Sequence, residues 1–178
     1  EVISTDQRRM QSIEAVVSIS EKFSVNISAA QLEKVMNDLR TALTKPWGLH
    51  VWFSTEIEDP DERLREWTKR VKTARVAICI ITEGYQSSFV CREEFRVASC
   101  EHSVVIPVMH SDAFTLDHSF KYRLSSLEVV NYREGASGTW VQELERIFNE
   151  LESGGSSKAV AAQVYDELLM TIARKTRQ

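Results

Sequence analysis

Glycine is scarce in this chain, and the motifs that use glycine to bind phosphate are absent. The 178 residues include six glycines, and none of them belongs to a Walker loop, a G-x-G-x-x-G turn or a G-x-S-x-G elbow. Such motifs place glycine where backbone amides approach a phosphate or where a strand turns sharply into a nucleophile. The sequence therefore gives little support for a nucleoside-triphosphate site, a Rossmann-type cofactor grip or acyl transfer.

Cysteine is also scarce, and its spacing excludes the common metal motifs. Cys79, Cys91 and Cys100 have no metal-ligand spacing. If Cys91 and Cys100 share a helix, they lie about 13 Å apart, which is too far for a disulfide. We expect reduced, mostly buried thiols and no metal site, which favours a cytoplasmic location. The sequon at Asn26 is then better explained as the entry to a helix.

Long apolar runs and an excess of positive charge are missing too. No run reaches the ~18–20 apolar residues that span a bilayer, and residues 1–11 lack a signal-peptide core. The net charge of -4 argues against nucleic acid as a partner. We expect one α/β domain with extensions and no membrane insertion. Because the chain starts at Glu1 rather than Met, we expect it to be a piece of a longer protein.

Runs rich in β-branched residues alternate with segments of helical period. This alternation is typical of a parallel sheet with helices on both of its faces. The run 76–82 is almost continuously apolar, as a strand covered on both faces should be. The predicted strands are 13–19, 49–53, 76–82, 104–109 and 127–132.

Capping residues mark the beginnings of the predicted helices. A serine, threonine or aspartate before an apolar stripe accepts a hydrogen bond from the first turn, often with a reciprocal Glu or Gln three residues later. Residues 111–126 are expected to hold a short, irregular helix. The predicted caps are Ser28 with Gln31, Asp59 with Pro60 and Glu62, Ser87 or Ser88, and Thr139 with Gln142.

The second predicted helix separates apolar from basic residues. Its inward stripe is predicted to be Leu64, Trp67, Val71 and Ala74. Its cations are predicted to form a solvated face, or alternatively a surface that meets an acidic partner. These cations are Arg63, Arg65, Lys69, Arg70, Lys72 and Arg75.

Both ends of the chain are predicted to lie outside the domain. Residues 1–12 form an N-terminal extension, and residues 153–157 form a linker rich in glycine and serine. Residues 158–178 show an amphipathic helical period. This last helix is expected either to pack back on the domain or to act as a connector or self-association helix.

Glu94 interrupts the apolar stripe of the third predicted helix. Val90, Val97 and Ala98 share its side of the helix, so a carboxylate there needs an explanation. A partly desolvated carboxylate can stabilise an oxocarbenium-like ribose cation. The structural alternative is a glutamate at the margin of the core that is paired with Arg92, Arg96 or a backbone amide. The four histidines are assigned no role.

Loops at the carboxyl ends of the strands are where ligands gather in an open parallel sheet. In this chain they are predicted at residues 20–27, 54–59, 83–87 and 110–115. They offer carboxylates, hydroxyls and aromatic rings. Glu94 follows the third of these loops and is expected to point back toward this edge of the sheet.

The strand and helix around Glu94 resemble the TIR (Toll/interleukin-1 receptor) domain family over about residues 13–152. Residues 76–82, followed by Tyr85, Ser87 or Ser88, Cys91 and Glu94, are similar to its S-x-x-Y-x-x-S-x-W-C-x-x-E signature. The segments 106–108 and 122–124 add to the resemblance. It implies a flavodoxin-like, five-stranded parallel sheet of order 2-1-3-4-5 with helices on both faces.

The same resemblance implies two functions. TIR enzymes cleave NAD+ at the nicotinamide-ribose bond and sometimes cyclise the product, and Glu94 occupies the position of their catalytic glutamate. NAD+ is then the substrate, and no cofactor is expected. Lys22 is expected to meet phosphate and Phe89 or Tyr85 to supply an aromatic surface. The substrate-binding set is Ser20, Lys22, Tyr85, Phe89 and Val90.

The second function is a non-catalytic adaptor that acts through homotypic TIR-TIR contacts. In either case the expected partners are other TIR domains, with a role in innate immunity or cell death. The acidic loop and the basic helix beside it favour head-to-tail self-association. A flavodoxin-like phosphoacceptor domain is a third class, but the acidic pocket it needs after the first strand is absent. The predicted interface residues are Glu56, Glu58, Pro60, Asp61 and Arg70.

Overall fold

A computed structural model describes residues 14–20, 28–102, 104–110, 115–132 and 139–153. These residues form a parallel sheet flanked by helices. The strands are β1 (Glu14–Ser18), β2 (His50–Phe53), β3 (Val76–Ile81), β4 (Val105–His110) and β5 (Val130–Tyr132). The α-helices are α1 (Ala29–Trp47), α2 (Pro60–Val71), α3 (Glu83–Ser87), α4 (Phe89–Glu101), α5 (His118–Ser125) and α6 (Thr139–Glu152). The first half of the predicted loop 54–59 forms a short 3-10 helix, Ser54–Glu56.

The sheet has the strand order β2-β1-β3-β4-β5, and every pair is parallel. This confirms the flavodoxin-like order expected from the resemblance. Strand β3 lies in the middle, and all six of its residues are buried, as its continuous apolar run predicts. The crossovers place the carboxyl ends of all strands at one edge of the sheet.

The predicted helix caps are largely confirmed. Ser28 and Gln31 form a reciprocal capping box at the start of α1. Gly48 ends that helix in the left-handed conformation, with φ of 62°, where a side chain would be strained. Asp59 caps α2 by accepting from the amide of Glu62, and Ser88 is the serine that caps α4. Local chemistry therefore sets where these helices begin.

Two faces of the sheet are covered by different helices. Helices α1 and α6 pack on one face, where their residues join the largest apolar cluster with alternate strand residues such as Val17 and Ile78. Residues of α2 and α4 pack on the other face, against Val16 and Ala77. The period of two along each strand sends neighbouring residues to opposite faces.

Some predictions of local structure are wrong. Residues 83–87 form helix α3 rather than a loop, because Thr82 caps them by accepting from the amide of Tyr85. Thr139 is the first residue of α6 rather than its cap. Leu64, predicted to point inward on α2, is only half-buried. The short helix expected within 111–126 is present as α5.

Several predictions lie outside the described residues. The N-terminal extension 1–12, the C-terminal helix 158–178 and Lys22 are among them, and only Ser153 of the linker 153–157 is described. Within the described part of the chain, no helix combines the length and the apolar character that a bilayer crossing requires.

Candidate functional site

Glu94 lies at the centre of a buried polar cluster beneath the carboxyl ends of β1 and β2. Its side chain leaves the second turn of α4 and is 0% exposed. The cluster also contains Ser18 from the end of β1, Ser54 from just after β2 and Arg63 from α2. Parallel topology brings these elements together, since β1 and β2 are adjacent and end at the same edge.

Four hydrogen bonds hold the carboxylate of Glu94. Arg63 donates from Nε to Oε1 at 2.7 Å and from Nη2 to Oε2 at 3.1 Å. The hydroxyl of Ser54 donates to Oε2 at 3.2 Å, and that of Ser18 donates to the same oxygen. The fork of Arg63 matches the two carboxylate oxygens, the geometry that gives the strongest ion pairs. The negative charge is therefore neutralised inside the protein.

Arg63 is the partner of Glu94, which corrects two expectations. It was predicted to lie on a solvated basic face of α2, but it is buried. Arg92 and Arg96, the predicted partners of Glu94, instead pair with Asp117 and Glu93. Arg63 precedes Trp67 and Val71 by four and eight residues, which places it on the buried stripe of α2. That spacing was the signal in the sequence.

A chain of hydroxyl groups extends the cluster toward β3. The hydroxyl of Ser18 has one hydrogen, and it donates this hydrogen to its bond with Glu94. The phenol of Tyr85, 2.8 Å away, is therefore the donor in its bond with Ser18. Ser54 accepts from the amide of Ile19 at 3.4 Å while it donates to Glu94. Sequence reasoning missed Ser18 and Ser54. Ser18 lies two residues after Val16, on the face of β1 that packs against α2 and α4, and this spacing can be read from the sequence.

Two further contacts fix the helices around the cluster. The indole of Trp67 donates to the backbone carbonyl of Glu94 at 2.9 Å, which ties α2 to α4. Arg63 Nη2 also donates to the carbonyl of Ile19, just beyond β1, at 2.7 Å. The guanidinium therefore joins the end of β1 to the carboxylate on α4.

The two buried thiols beside the cluster are not activated. Burial raises the pKa of Cys79 to about 12 and that of Cys91 to about 11. Burial also raises the pKa of Tyr85 well above its ordinary value. These groups are protonated at neutral pH, so neither cysteine has the thiolate that nucleophilic catalysis requires. Glu94 and Arg63 carry the charge of the site.

The predicted substrate-binding residues occupy different environments. Tyr85 is buried in the cluster. Ser20 is also buried, and the hydroxyl of Ser20 bonds to Cys91 beside the cluster. Phe89 begins α4 and is 75% exposed, whereas the neighbouring Val90 is half-buried. Tyr85 and Ser20 therefore share the interior of the site, and Phe89 lies at the surface near it.

The predicted interface residues fall into two groups. Those of the loop and of the start of α2 are exposed, namely Glu56, Glu58, Pro60 and Asp61. Arg70 is half-buried, bonded to Glu66 at 2.8 Å and paired with Glu14, with its guanidinium 4.6 Å from the ring centre of Trp52. Arg70 therefore also holds α2 against the sheet.

Metal ligation has no support in the described part of the chain, where no group of three or more His, Cys, Asp or Glu residues could hold an ion. His102 bonds to the backbone through both ring nitrogens, at Ala74 and Val104. His110 stacks on Tyr132. The chemistry available in the described site is that of a carboxylate, a guanidinium and several hydroxyls.

Comparison with known proteins agrees with the fold and with the signature around Glu94. The family model described as "TIR domain" matches residues 25–148, which include α2, β3 and α4. No curated protein matches the chain. The matched region covers more than half of the sequence. The chain therefore belongs to the TIR domain family, whose members act in signalling through contacts between TIR domains.

Proposed function

We propose that this TIR domain cleaves NAD+ at the nicotinamide-ribose bond, with Glu94 as the catalytic carboxylate, when copies of the domain assemble. The observation that carries the proposal is the placement of Glu94. A carboxylate lies among hydroxyl groups at the edge of the sheet where open α/β folds bind ligands. The family match over residues 25–148 includes Glu94, and the segment that resembles the family's signature ends on this residue.

Stability alone is a weak reason for such a cluster. Removing two charges from water is expensive, and apolar side chains of similar volume often stabilise a fold equally well. Here Arg63 and Glu94 are both buried, on a face of the sheet where α2 and α4 also pack apolar residues. The cluster is better explained by a chemical task at Glu94.

The proposed reaction needs little from the protein beyond charge and position. The bond between C1′ of the ribose and the pyridinium nitrogen breaks, and its electron pair leaves with neutral nicotinamide. The carboxylate of Glu94 stabilises the positive charge that develops on the ribose. Water then adds to C1′ and loses a proton, which gives ADP-ribose. Attack on C1′ by a nucleophile of the same ADP-ribosyl group, in place of water and with loss of a proton, instead gives a cyclic form.

A second candidate function is a non-catalytic scaffold that signals by TIR-TIR contact alone. The observation in its favour is that Glu94 is fully buried and already paired with Arg63. In this arrangement the carboxylate has no exposed surface for a substrate. The scaffold would keep the pair as a structural element that joins α2, α4 and β1.

Nicotinamide release separates the two functions. The protein is assayed dilute and then clustered on a multivalent support, beside Glu94→Gln. The matched control is Glu93→Gln, which changes the neighbouring glutamate that pairs with Arg96 at the surface. If the domain is an enzyme, clustered wild type and Glu93→Gln should release nicotinamide, and folded Glu94→Gln should not. An assembled, folded wild type that releases none favours the scaffold.

A further inference from the structure

The donors around Glu94 are divided unequally between its two carboxylate oxygens. Oε2 accepts from Ser18, from Ser54 and from Arg63 Nη2, whereas Oε1 accepts from Arg63 Nε. Each oxygen of a carboxylate offers about two acceptor positions. The donors of Oε2 therefore fill that oxygen, and Oε1 keeps capacity for one more partner. The cluster anchors the carboxylate mainly by one of its two oxygens.

Ser18 is the donor to Oε2 that the sheet itself holds in place. It is the last residue of β1, which lies between β2 and β3, and its backbone pairs with Cys79 on β3. The other two donors come from outside the sheet, since Ser54 begins the 3-10 helix and Arg63 belongs to α2. A group on an interior strand keeps its position more precisely than one on a connecting segment. Ser18 therefore gives Oε2 its most rigid partner.

The phenol of Tyr85 orients the hydroxyl of Ser18. The two oxygens are 2.8 Å apart, and the phenol is the donor because the hydrogen of Ser18 goes to Glu94. Burial raises the pKa of Tyr85 well above its ordinary value, so the phenol keeps its hydrogen at neutral pH. Hydrogen bonds that run in one direction strengthen one another. The chain from Tyr85 through Ser18 therefore ends on the negative charge of Oε2.

The packing of Tyr85 accounts for its ring but not for its hydroxyl. The ring meets Phe120 edge-on, with ring centres 6.1 Å apart, and the backbone amide donates to Thr82 at 3.0 Å. A phenylalanine would keep both of these contacts. A buried pair of hydroxyls adds little stability compared with apolar groups of the same shape. The phenol of Tyr85 is better explained by its effect on Ser18 and, through Ser18, on Glu94.

Resting on the function proposed above, we propose that Tyr85 is a positioning residue that acts on Glu94 through Ser18. The two hydroxyls hold Oε2, so that Oε1 is the oxygen that faces C1′ of the ribose as positive charge develops there. Aiming a preorganised charge at the transition state lowers the barrier to reaction more than it strengthens substrate binding. Loss of the phenol should therefore change kcat and leave KM unchanged.

The first test compares two buried tyrosines in the clustered protein. Tyr85→Phe removes the hydroxyl that donates to Ser18 and keeps the ring. The matched control is Tyr132→Phe, which removes a hydroxyl that donates to Asp38 at 2.8 Å on the other face of the sheet. Tyr85→Phe should lower kcat for nicotinamide release about tenfold at unchanged KM, since tenfold corresponds to about 1.4 kcal/mol, the size of one hydrogen bond.

Clustered Tyr132→Phe should match wild type in both constants. A folded, assembled Tyr85→Phe with the kcat of an active wild type would overturn the proposal. A rise in KM at unchanged kcat would overturn it too, because it would mean that Tyr85 contributes to substrate binding rather than to the position of Glu94.

The second test needs no turnover. The carboxylate stretching bands of Glu94 are isolated as the infrared difference between each background and the same background with Glu94→Gln, with isotope-labelled glutamate. These frequencies depend on the hydrogen bonds to each oxygen. Tyr85→Phe should therefore shift the bands relative to wild type, and Tyr132→Phe should not. Unshifted bands in folded Tyr85→Phe, or an equal shift in Tyr132→Phe, would contradict the proposal.

The double variant Ser18→Ala with Tyr85→Phe shows whether the phenol acts through Ser18. Ser18→Ala should shift the bands and lower kcat at least as much as Tyr85→Phe, and the double variant should add little to either effect. Additive effects would mean that Tyr85 acts by another route. Bands that shift while no clustered protein releases nicotinamide support the hydroxyl chain and refute NAD+ cleavage. Release by wild type with bands and kcat unchanged in Tyr85→Phe does the reverse.

Discussion

The sheet face covered by α1 and α6 buries mainly aliphatic and aromatic side chains, whereas the face covered by α2 and α4 also buries an ion pair, serine hydroxyls and two thiols. Both faces belong to the same five strands and follow the same period of two. The first needs only shape and volume to be satisfied. The second depends on each polar group keeping its partner, so loss of one partner there should cost more than the loss of its volume alone.

Breaking the buried pair on one side should have the largest effect on stability. Glu94→Leu removes the buried carboxylate with which Arg63 forms its ion pair, so we expect the free energy of unfolding to fall by about 3–5 kcal/mol. The double variant Arg63→Met with Glu94→Leu should recover most of that loss. Urea denaturation measures both. Additive losses in the double variant would show that the two residues do not act as a pair.

The opposite face should respond to a cavity without any such rescue. Leu144 on α6 is fully buried in the apolar cluster. Leu144→Ala should lower the free energy of unfolding by about 2–5 kcal/mol, because the removed methyl groups leave a void. This face depends on volume rather than on paired charges. The double variant Leu144→Ala with Glu94→Leu should therefore lose about the sum of the two single losses in free energy of unfolding. A double-variant loss far from that sum would show that the two faces are not energetically independent.

High pH should destabilise the polar face through its thiols. The ordinary cysteine pKa is 9.0, and burial raises it to about 11 for Cys91 and about 12 for Cys79. The unfolded chain therefore loses these protons first, so their stabilisation is complete below pH 9 and is lost as pH rises toward 11 and 12. Each thiol should contribute a fall of about 1.4 kcal/mol per pH unit in this window.

Denaturant unfolding of wild type and Cys91→Ala between pH 8 and pH 11 tests that slope. The variant lacks one of the two buried thiols, so its free energy of unfolding should fall less steeply with pH. The difference between the two proteins cancels titrating groups common to both. Parallel curves would mean that Cys91 does not resist ionisation in the folded state.

Helix caps should show the smallest effects and no difference between the faces. Ser28 caps α1 on the apolar face, and Ser88 caps α4 on the polar face. Ser28→Ala and Ser88→Ala should each cost about 1 kcal/mol, since each removes one hydrogen bond to an otherwise unsatisfied amide. Thermal unfolding of the two variants makes the comparison. If Ser88→Ala loses several times more stability than Ser28→Ala, Ser88 must be coupled to the polar cluster around Glu94.

Local patterns predicted most of the fold and one half of the site. Short windows of sequence indicate the strands, the helix caps and the buried position of Glu94, because strands and helices have periods of two and about 3.6 residues. The partners of Glu94 are not, because Arg63 lies 31 residues away and Ser18 lies 76 residues away. Their meeting depends on the order of the strands and on how α2 packs. Arg63 was misread because it was grouped with the other cations of α2, and arginine on a helix is usually solvated.

Nicotinamide release tests most directly whether Glu94 acts as a chemical group rather than a structural one. Clustered wild type is compared with clustered Glu94→Gln and Glu93→Gln, all shown to be folded and assembled. We predict release by wild type and Glu93→Gln and none by Glu94→Gln. Equal release by all three, or none by any, would contradict the assignment of catalysis to Glu94.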